Sequence, residues 1–231
     1  MSQQYDFLTK QVFTKEDVVE ILNVLRSENG CPWDRAQTHQ TLRETAIEEA
    51  YELSDAIAKN DLEHIQEELG DVLMQVYHHI GIAQDNGEFS ETDVYNRLCQ
   101  KLITRHTHVF GDVKANTGEE ALAVWNANKQ KEHHIQSLAQ YLDDVPVSMN
   151  PLLRAQKVQN RAHKGGVAVY ENLQEKIQEK LTQFDGCVAQ QDFDQTGGDL
   201  LFLVLALLKK NHVNADVSLA DAIERFIQKV K

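Results

Sequence analysis

Apolar residues recur three or four positions apart along most of the chain, the spacing that gathers them on one helical face. Val18, Ile21, Leu22 and Leu25 define a first helix. Thr14-Lys-Glu-Asp17 opens it in the form of a capping box, and Asn29-Gly30 closes it. Ala46, Ala50, Leu53 and Ile57 make a second stripe; Leu62, Ile65, Leu69, Leu73 and Val76 make a third. Ala58-Lys-Asn-Asp61 between them suits a short turn, so the two segments form an antiparallel hairpin. Thr41 with Glu44 starts its first helix, and its second ends near Asn86-Gly87. Ser90-Glu-Thr-Asp93 caps a helix carrying Val94, Leu98 and Leu102. A further helix begins near Glu119 and includes Trp125. Residues 31–38 read as a loop, and residues 104–110 lead into another.

The pattern weakens across residues 137–151, where Asp143-Asp144-Val145-Pro146 and Asn150-Pro151 are turn and breaker signals. The expected organisation is therefore a domain over 1–138, a linker over 139–151 and a second domain over 152–231. The second domain echoes the first. Gly70-Asp-Val-Leu-Met74 returns as Gly198-Asp-Leu-Leu-Phe202, and Lys101 and Arg105 return as Arg225 and Lys229. Residues 173–184 correspond to the first helix of the hairpin.

The hairpin carries the candidate chemistry. Glu48, Glu49 and Glu52 lie on its first helix, Glu68 and Asp71 on its second. Positions three apart share a face, so Glu49 with Glu52 and Glu68 with Asp71 can meet across the turn. Glu49 falls inside its apolar stripe and Glu52 on the edge; Glu68 borders its stripe, while Asp71 sits further round. A buried carboxylate is costly unless compensated, and clustered carboxylates repel one another. A hard divalent cation such as Mg²⁺ resolves both problems. The competing reading is an acidic, solvated helix face. Carboxylate-bound Mg²⁺ commonly completes its shell with substrate phosphates. Lys101 and Arg105, one helical turn apart, can supply positive charge to those phosphates, as can Lys129 beside Trp125. Trp33 reads first as a packing anchor and second as a ligand contact. His64, His78 and His79 read as packed or surface residues. No Glu-x-x-His pair of the di-iron bundles occurs, nor a Walker loop, a Gly-x-Gly-x-x-Gly or a Gly-x-Ser-x-Gly.

Charge and composition narrow the choice. A net charge of −13 over 231 residues disfavours a non-specific nucleic-acid coat. Three proline and eleven glycine residues leave long stretches free for helix, so the fold class is all-α. Cys31, Cys99 and Cys187 are scattered and read as thiols of a reducing compartment. The opening Met-Ser-Gln-Gln-Tyr-Asp lacks a signal-like region, and the longest apolar run, residues 200–208, suits a buried helix. A cytoplasmic protein is expected.

Taken in order, several motifs resemble one family. They are Asn-Gly-Cys-Pro-Trp-Asp at 29–34, with Gln37-Thr38, and the two acidic motifs at 48–52 and 68–71. Lys-Leu-Ile-Thr-Arg-His-Thr-His-Val-Phe at 101–110, Asp-Asp-Val-Pro at 143–146 and Arg-Ala-Gln-Lys-Val-Gln at 154–159 complete the set. The family is MazG, the all-α nucleoside triphosphate pyrophosphohydrolases, and the resemblance covers nearly the whole chain. It implies two tandem helical repeats forming four-helix-bundle-type units completed in a homodimer. It implies Mg²⁺-dependent cleavage of a (deoxy)nucleoside triphosphate to the monophosphate and pyrophosphate, with Mn²⁺ a possible substitute. Carried over by residue, Glu49, Glu52, Glu68 and Asp71 would ligate metal, and Glu48 would order water or a further metal. Lys101, Arg105 and Lys129 would hold phosphates, Trp125 would border the substrate, and Trp33 would lie at the base end. No membrane and no direct nucleic-acid partner is expected. The second repeat departs from this pattern. It has Lys176 and Thr196 where the first has Glu49 and Glu68, keeps only Glu179 and Asp199, and strays at Lys164-Gly165-Gly166. The first repeat is thus expected to catalyse and the second to be a structural or dimer-forming copy. An alternative of another class is a catalytically weak nucleotide sensor or scaffold on the same fold.

Overall fold

A computed structural model describes residues 5–133 and 135–231; the Met1–Gln4 part of the N-terminal reading and His134 lie outside them. Regular structure among the described residues is helical throughout, from a 3₁₀ turn at Asp6–Thr9 to a last helix ending at Val230. Contacts divide the chain into one unit up to Asp112 and another from Val113 onward.

The first unit holds α1 (Lys15–Arg26), α2 (Pro32–Ala36), α3 (Arg43–Lys59), α4 (Leu62–Asp85), α5 (Glu91–Arg105) and the single turn α6 (Thr107–Phe110). The capping box of α1 forms as its sequence predicts: the Thr14 N–H donates to Asp17 Oδ2 at 2.8 Å. Lys10 closes on the other oxygen of the same carboxylate. Asp17 is thereby buried but fully engaged. The loop expected at 31–38 is partly helix, because Pro32 at the first position of α2 presets the helical φ and gives up no needed donor. Thr41 does not cap α3. Its hydroxyl accepts from the Thr38 N–H at 2.9 Å and donates to Gln37 Oε1 at 2.8 Å, holding a local turn instead. Helix α3 starts two residues later, at Arg43.

The hairpin turn is as expected. Asn60 adopts the left-handed conformation (φ 54°) that ends α3, and Asp61 caps α4 by accepting from the His64 N–H. Helix α1 lies on α4, where Leu22, Tyr77 and Ile80 form a core flanked by Val18, Val19, Leu25, Met74 and Val94. Arg26 fastens this packing. It donates to Asp85 Oδ2 at 2.7 Å and to the Asp34 carbonyl at 2.7 Å, joining the ends of α1, α4 and α2.

The two hairpin stripes do not become core in the single chain. Leu62, Leu69, Leu73 and Val76 are 44–75% exposed, and Ile57 and Ala50 are exposed as well. Only Ala56 of α3 is buried. Hydrophobic periodicity identifies an apolar face but not what covers it, so the stripe was legible and its burial was not.

The second unit holds α7 (Gly118–Glu132), α8 (Leu138–Asp143), α9 (Pro151–Lys164), α10 (Leu173–Asp185), α11 (Gln190–Lys210) and α12 (Ala215–Val230). Asn150 caps α9 and Pro151 occupies its first position. Polar side chains of α9 stitch the unit together. Gln159 donates to the Phe202 carbonyl at 2.6 Å, and Gln156 donates to the Val213 carbonyl at 3.1 Å while accepting from the Ala215 N–H. Residues 138–146 dock on α9. Val145 is buried, and Arg161 reaches Asp144 Oδ2 at 3.0 Å and the Tyr141 carbonyl while stacking over the Tyr141 ring. The apolar run at 200–208 is only half core: Leu205 and Ala206 are buried, whereas Leu201 and Phe202 are exposed. No helix among the described residues is long and apolar enough to cross a membrane.

Two outcomes follow for stability. Lys10 and the Thr14 N–H hold the Asp17 carboxyl below the ordinary aspartate value of 3.8. Its stabilisation is therefore present above about pH 4 and lost as pH falls through the lowered folded value. The melting-temperature gap between wild type and Asp17→Asn should be constant near neutrality and should close below pH 4; a gap unchanged at pH 2.5 would contradict this. Arg161→Ala leaves Asp144 Oδ2 and the Tyr141 carbonyl without this donor, while His133 still meets Asp144 Oδ1 at 3.2 Å. Urea denaturation followed by circular dichroism should show a loss of about 2–3 kcal/mol.

Candidate metal centre

Helices α3 and α4 run side by side, and their facing sides bring Glu49, Glu68 and Asp71 together. One carboxylate oxygen from each lies within 4.8 Å of the others, and all three residues are half-buried. Octahedral Mg²⁺ with oxygens near 2.05 Å spaces its ligands roughly 2.9–4.2 Å apart, so the trio is close to ligand spacing. Asp71, which the stripe pattern left further round, belongs to this group.

The electrostatics are those of a site short of positive charge. Burial pushes the Glu49 carboxyl above its ordinary range; the charges of Asp71 and Glu52 push it further, and the Gln75 amide opposes them. Burial likewise raises Glu68, followed by the charges of Glu52 and Asp71. Glu68 Oε2 is buried without a hydrogen-bond partner. A buried anionic oxygen lacking any donor calls for an ion or an ordered water. No ion pair from Lys101 reaches the trio among the described residues. The donor set is oxygen only, which suits a hard cation, and the residues present fit Mg²⁺.

The other expected site residues fall as follows. Glu52 is exposed and outside the trio, yet its charge is the largest acting on Glu68. It lines a cavity of about 390 Å³ with Tyr51, Asp55, Lys59, His64 and Glu68. Glu48 is exposed on α3. Lys101 is half-buried on α5, and Arg105 at the end of that helix is 6% exposed. Trp33 is 59% exposed on α2, so the default reading of a packed tryptophan fails. Trp125 and Lys129 belong to α7 of the second unit, where the Lys129 ammonium lies 5.7 Å from the Trp125 ring centroid. His64 bonds its own cap, Asp61, at 2.8 Å. His78 is buried beside Asp34, whose Oδ1 is 3.4 Å from its Nε2.

Two features escaped the sequence reading. Gln75 is buried one turn beyond Asp71, and its amide favours the charged form of Glu49; its i+4 spacing from Asp71 was the available signal. His39 and His79 place their Nδ1 atoms 2.8 Å apart, and Glu88 lies 3.1 Å from His39 Nε2. That contact joins residues forty apart, and no local spacing announces it.

In the second unit, α10 and α11 form the corresponding hairpin. There Lys180 Nζ lies 2.9 Å from Asp199 Oδ2, so an internal ammonium answers one of the two remaining carboxylates.

Residues 37–110 match the profile of the MazG nucleotide pyrophosphohydrolase domain. The chain is 36% identical over 217 residues to the nucleoside triphosphate pyrophosphohydrolase of Escherichia coli K12, covering 90% of this chain and 82% of that protein. It is 34% identical over 218 residues to the nucleoside triphosphate pyrophosphohydrolase/pyrophosphatase MazG of Thermotoga maritima, covering 94% and 84%. A nucleoside triphosphate pyrophosphohydrolase of Mycobacterium tuberculosis is 38% identical over 156 residues, covering 67% of this chain and 46% of that one. With the acidic hairpin inside the matched segment and the likeness running over nine-tenths of its length, the chain belongs to the MazG family of nucleotide pyrophosphohydrolases.

Proposed function

We propose that this protein hydrolyses (deoxy)nucleoside triphosphates to the monophosphate and pyrophosphate, with Mg²⁺ held by the α3–α4 hairpin. The observation that carries the reading is the convergence of Glu49, Glu68 and Asp71 around an unpartnered buried oxygen of Glu68. The names of the relatives from Escherichia coli and Thermotoga maritima support the reaction class. Glu52 completes the ligand set by its motif position, and Glu48 orders water or a second ion.

When bound, Mg²⁺ polarises phosphoryl oxygens and offsets the charge that develops on the leaving group. The remaining work belongs to the chain. Glu49, Glu68 and Asp71 fix where the triphosphate sits. Lys101, Arg105 and Lys129 take its phosphate oxygens, Trp125 borders the nucleoside, and Trp33 meets the base. Water adds to the α-phosphorus as the α–β bridging P–O bond breaks, so pyrophosphate leaves and one proton is released. Such reactions depend mainly on positioning and charge neutralisation.

The catalytic copy is residues 1–138 and the degenerate copy residues 152–231. Motif position puts α7, with Trp125 and Lys129, in the catalytic copy, although contacts group that helix with the second unit. Lys176, Thr196 and the Lys180–Asp199 pair support a second copy without metal. The exposed apolar face of α4 supports a homodimer, since water is a poor permanent neighbour for Leu62, Leu69, Leu73 and Val76 together. The cytoplasm is the compartment that fits three free thiols.

Glu49→Ala or Asp71→Ala should cut pyrophosphate release from a nucleoside triphosphate by more than about 100-fold, because losing even an outer-sphere partner of a metal costs 10–100-fold. Asp199→Ala should retain wild-type release. The reverse pattern would overturn the assignment of the catalytic copy, and nucleotide binding without turnover in wild type would favour a sensor. Separately, Leu69→Asp should convert a dimer to a monomer of unchanged helix content in sedimentation equilibrium. A wild type that sediments as a monomer would refute the dimer.

A further inference from the structure

Gln75 occupies an uncomfortable place. It is 5% exposed on α4, four residues and one turn beyond Asp71. Its amide lies beside the Glu49 carboxylate and favours that group's charged form. Its Oε1 is buried and accepts nothing. Leaving a buried acceptor unpaired is destabilising, and an apolar residue of the same shape would avoid that loss.

Elsewhere in the chain, buried glutamines serve the backbone. Gln156 uses both ends of its amide, donating to carbonyls of α11 and the following turn and accepting from the Ala215 N–H. Gln159 also has an unpartnered Oε1, but its amide donates to the Phe202 carbonyl. Gln75 alone of the three faces a carboxylate of the acidic trio. The second hairpin offers a control. Four residues beyond Asp199, where Glu49 and Glu68 have given way to Lys176 and Thr196, the chain has Leu203. The glutamine is absent from the hairpin that lacks the acids.

We propose that Gln75 is a positioning residue of the metal centre: Nε2 fixes the orientation of Glu49, and Oε1 accepts a hydrogen bond from a water carried by the cation. The inference rests on the Mg²⁺ reading of the hairpin. It supplies the missing partner for Oε1, because cation-bound water is a strong donor and Mg²⁺ keeps several such waters. It also assigns Gln75 the outer-sphere role that orients ligating side chains in metal sites.

The test uses the full chain without nucleotide, titrated with Mn²⁺ and followed by electron paramagnetic resonance, with thermal melting in parallel. Gln75→Leu should weaken Mn²⁺ binding by about 10–100-fold. Its melting temperature without metal should be unchanged or higher, since the unpaired acceptor is gone. Gln75→Met, an unbranched substitute of similar volume, should behave alike and guards against a variant that fails to fold. Wild-type Mn²⁺ affinity in either folded variant overturns the proposal, as does weakened affinity accompanied by a marked fall in melting temperature. Asp71→Ala in the same titration separates the two readings. If it also binds Mn²⁺ like wild type, the metal centre itself falls; if it loses binding while Gln75→Leu keeps it, only the role of Gln75 falls.

Discussion

The structure turns on an electrostatic debt between two helices. Glu49, Glu68 and Asp71 are half-buried within 4.8 Å of one another. Burial first, and then the neighbouring acidic charges, raise the carboxyls of Glu49 and Glu68 above their ordinary range. The largest charges acting on Glu49 and Glu68 are those of further acids, opposed at Glu49 by the neutral amide of Gln75. The hairpin is held in its fold by the α1–α4 core, which begins about one turn beyond Asp71 at Met74, and by the Arg26 clasp at the far end of α4. The scaffold can therefore hold the acids close without their own attraction contributing, which is the condition a preorganised cation site requires.

The same hairpin explains why a single chain is an incomplete solution to the hydrophobic problem. Its α4 presents Leu62, Leu69, Leu73 and Val76 outward, while the interior contact between α3 and α4 is spent on Ala56, Gln75 and the acids. Placing polar ligands on the side facing the partner helix leaves the apolar side without cover. In the second unit, Ile223, Phe226, Ile227 and Val230 of α12 make a comparable outward stripe. Both faces ask for further burial, which is how the proposed dimer and the proposed metal centre come to be consequences of one arrangement.

Much of this was legible in the sequence, and the reasons for success and failure differ by residue. The capping boxes at Thr14 and Ser90 and the turn at Asn60-Asp61 succeeded because their chemistry is local: each is settled within four residues. Thr41 failed for a related reason. Its hydroxyl had a nearer partner in the Gln37–Thr38 turn than in the helix it was expected to cap. Asp71 lies off the apolar stripe of α4, yet its three-residue spacing from Glu68 puts the two on one face, and the structure groups both with Glu49. Trp33 was expected to pack on the strength of residue type, but a short proline-led helix holds it in solvent. The motifs at 143–146 and 154–159 could be seen but not explained until the fold joined them: Asp144 meets Arg161, while Gln156 and Gln159 tie α9 to the helices beyond it.

The second hairpin shows what the cation would contribute by showing what replaces it. Asp199 persists, but Lys180 from the facing helix now lies against it, and Lys176 stands where the first hairpin has Glu49. An ammonium on a four-carbon stem supplies one positive charge from within the chain, which suffices for one carboxylate. Three convergent carboxylates exceed what one lysine can offset, and a lysine placed among them would also occupy the space that phosphates need. Under the proposed reading, the first hairpin retains its acids and takes its cation from outside the chain. In the second hairpin, the Lys180–Asp199 pair places a cation of the chain itself against one carboxylate. The helical pair with its left-handed cap tolerates both solutions, His212 adopting at the end of α11 the positive φ that Gly87 adopts just beyond α4. Both units pack a pair of long helices, and the two pairs differ in the charges they carry: Glu49, Glu68 and Asp71 in the first, a Lys180–Asp199 pair in the second.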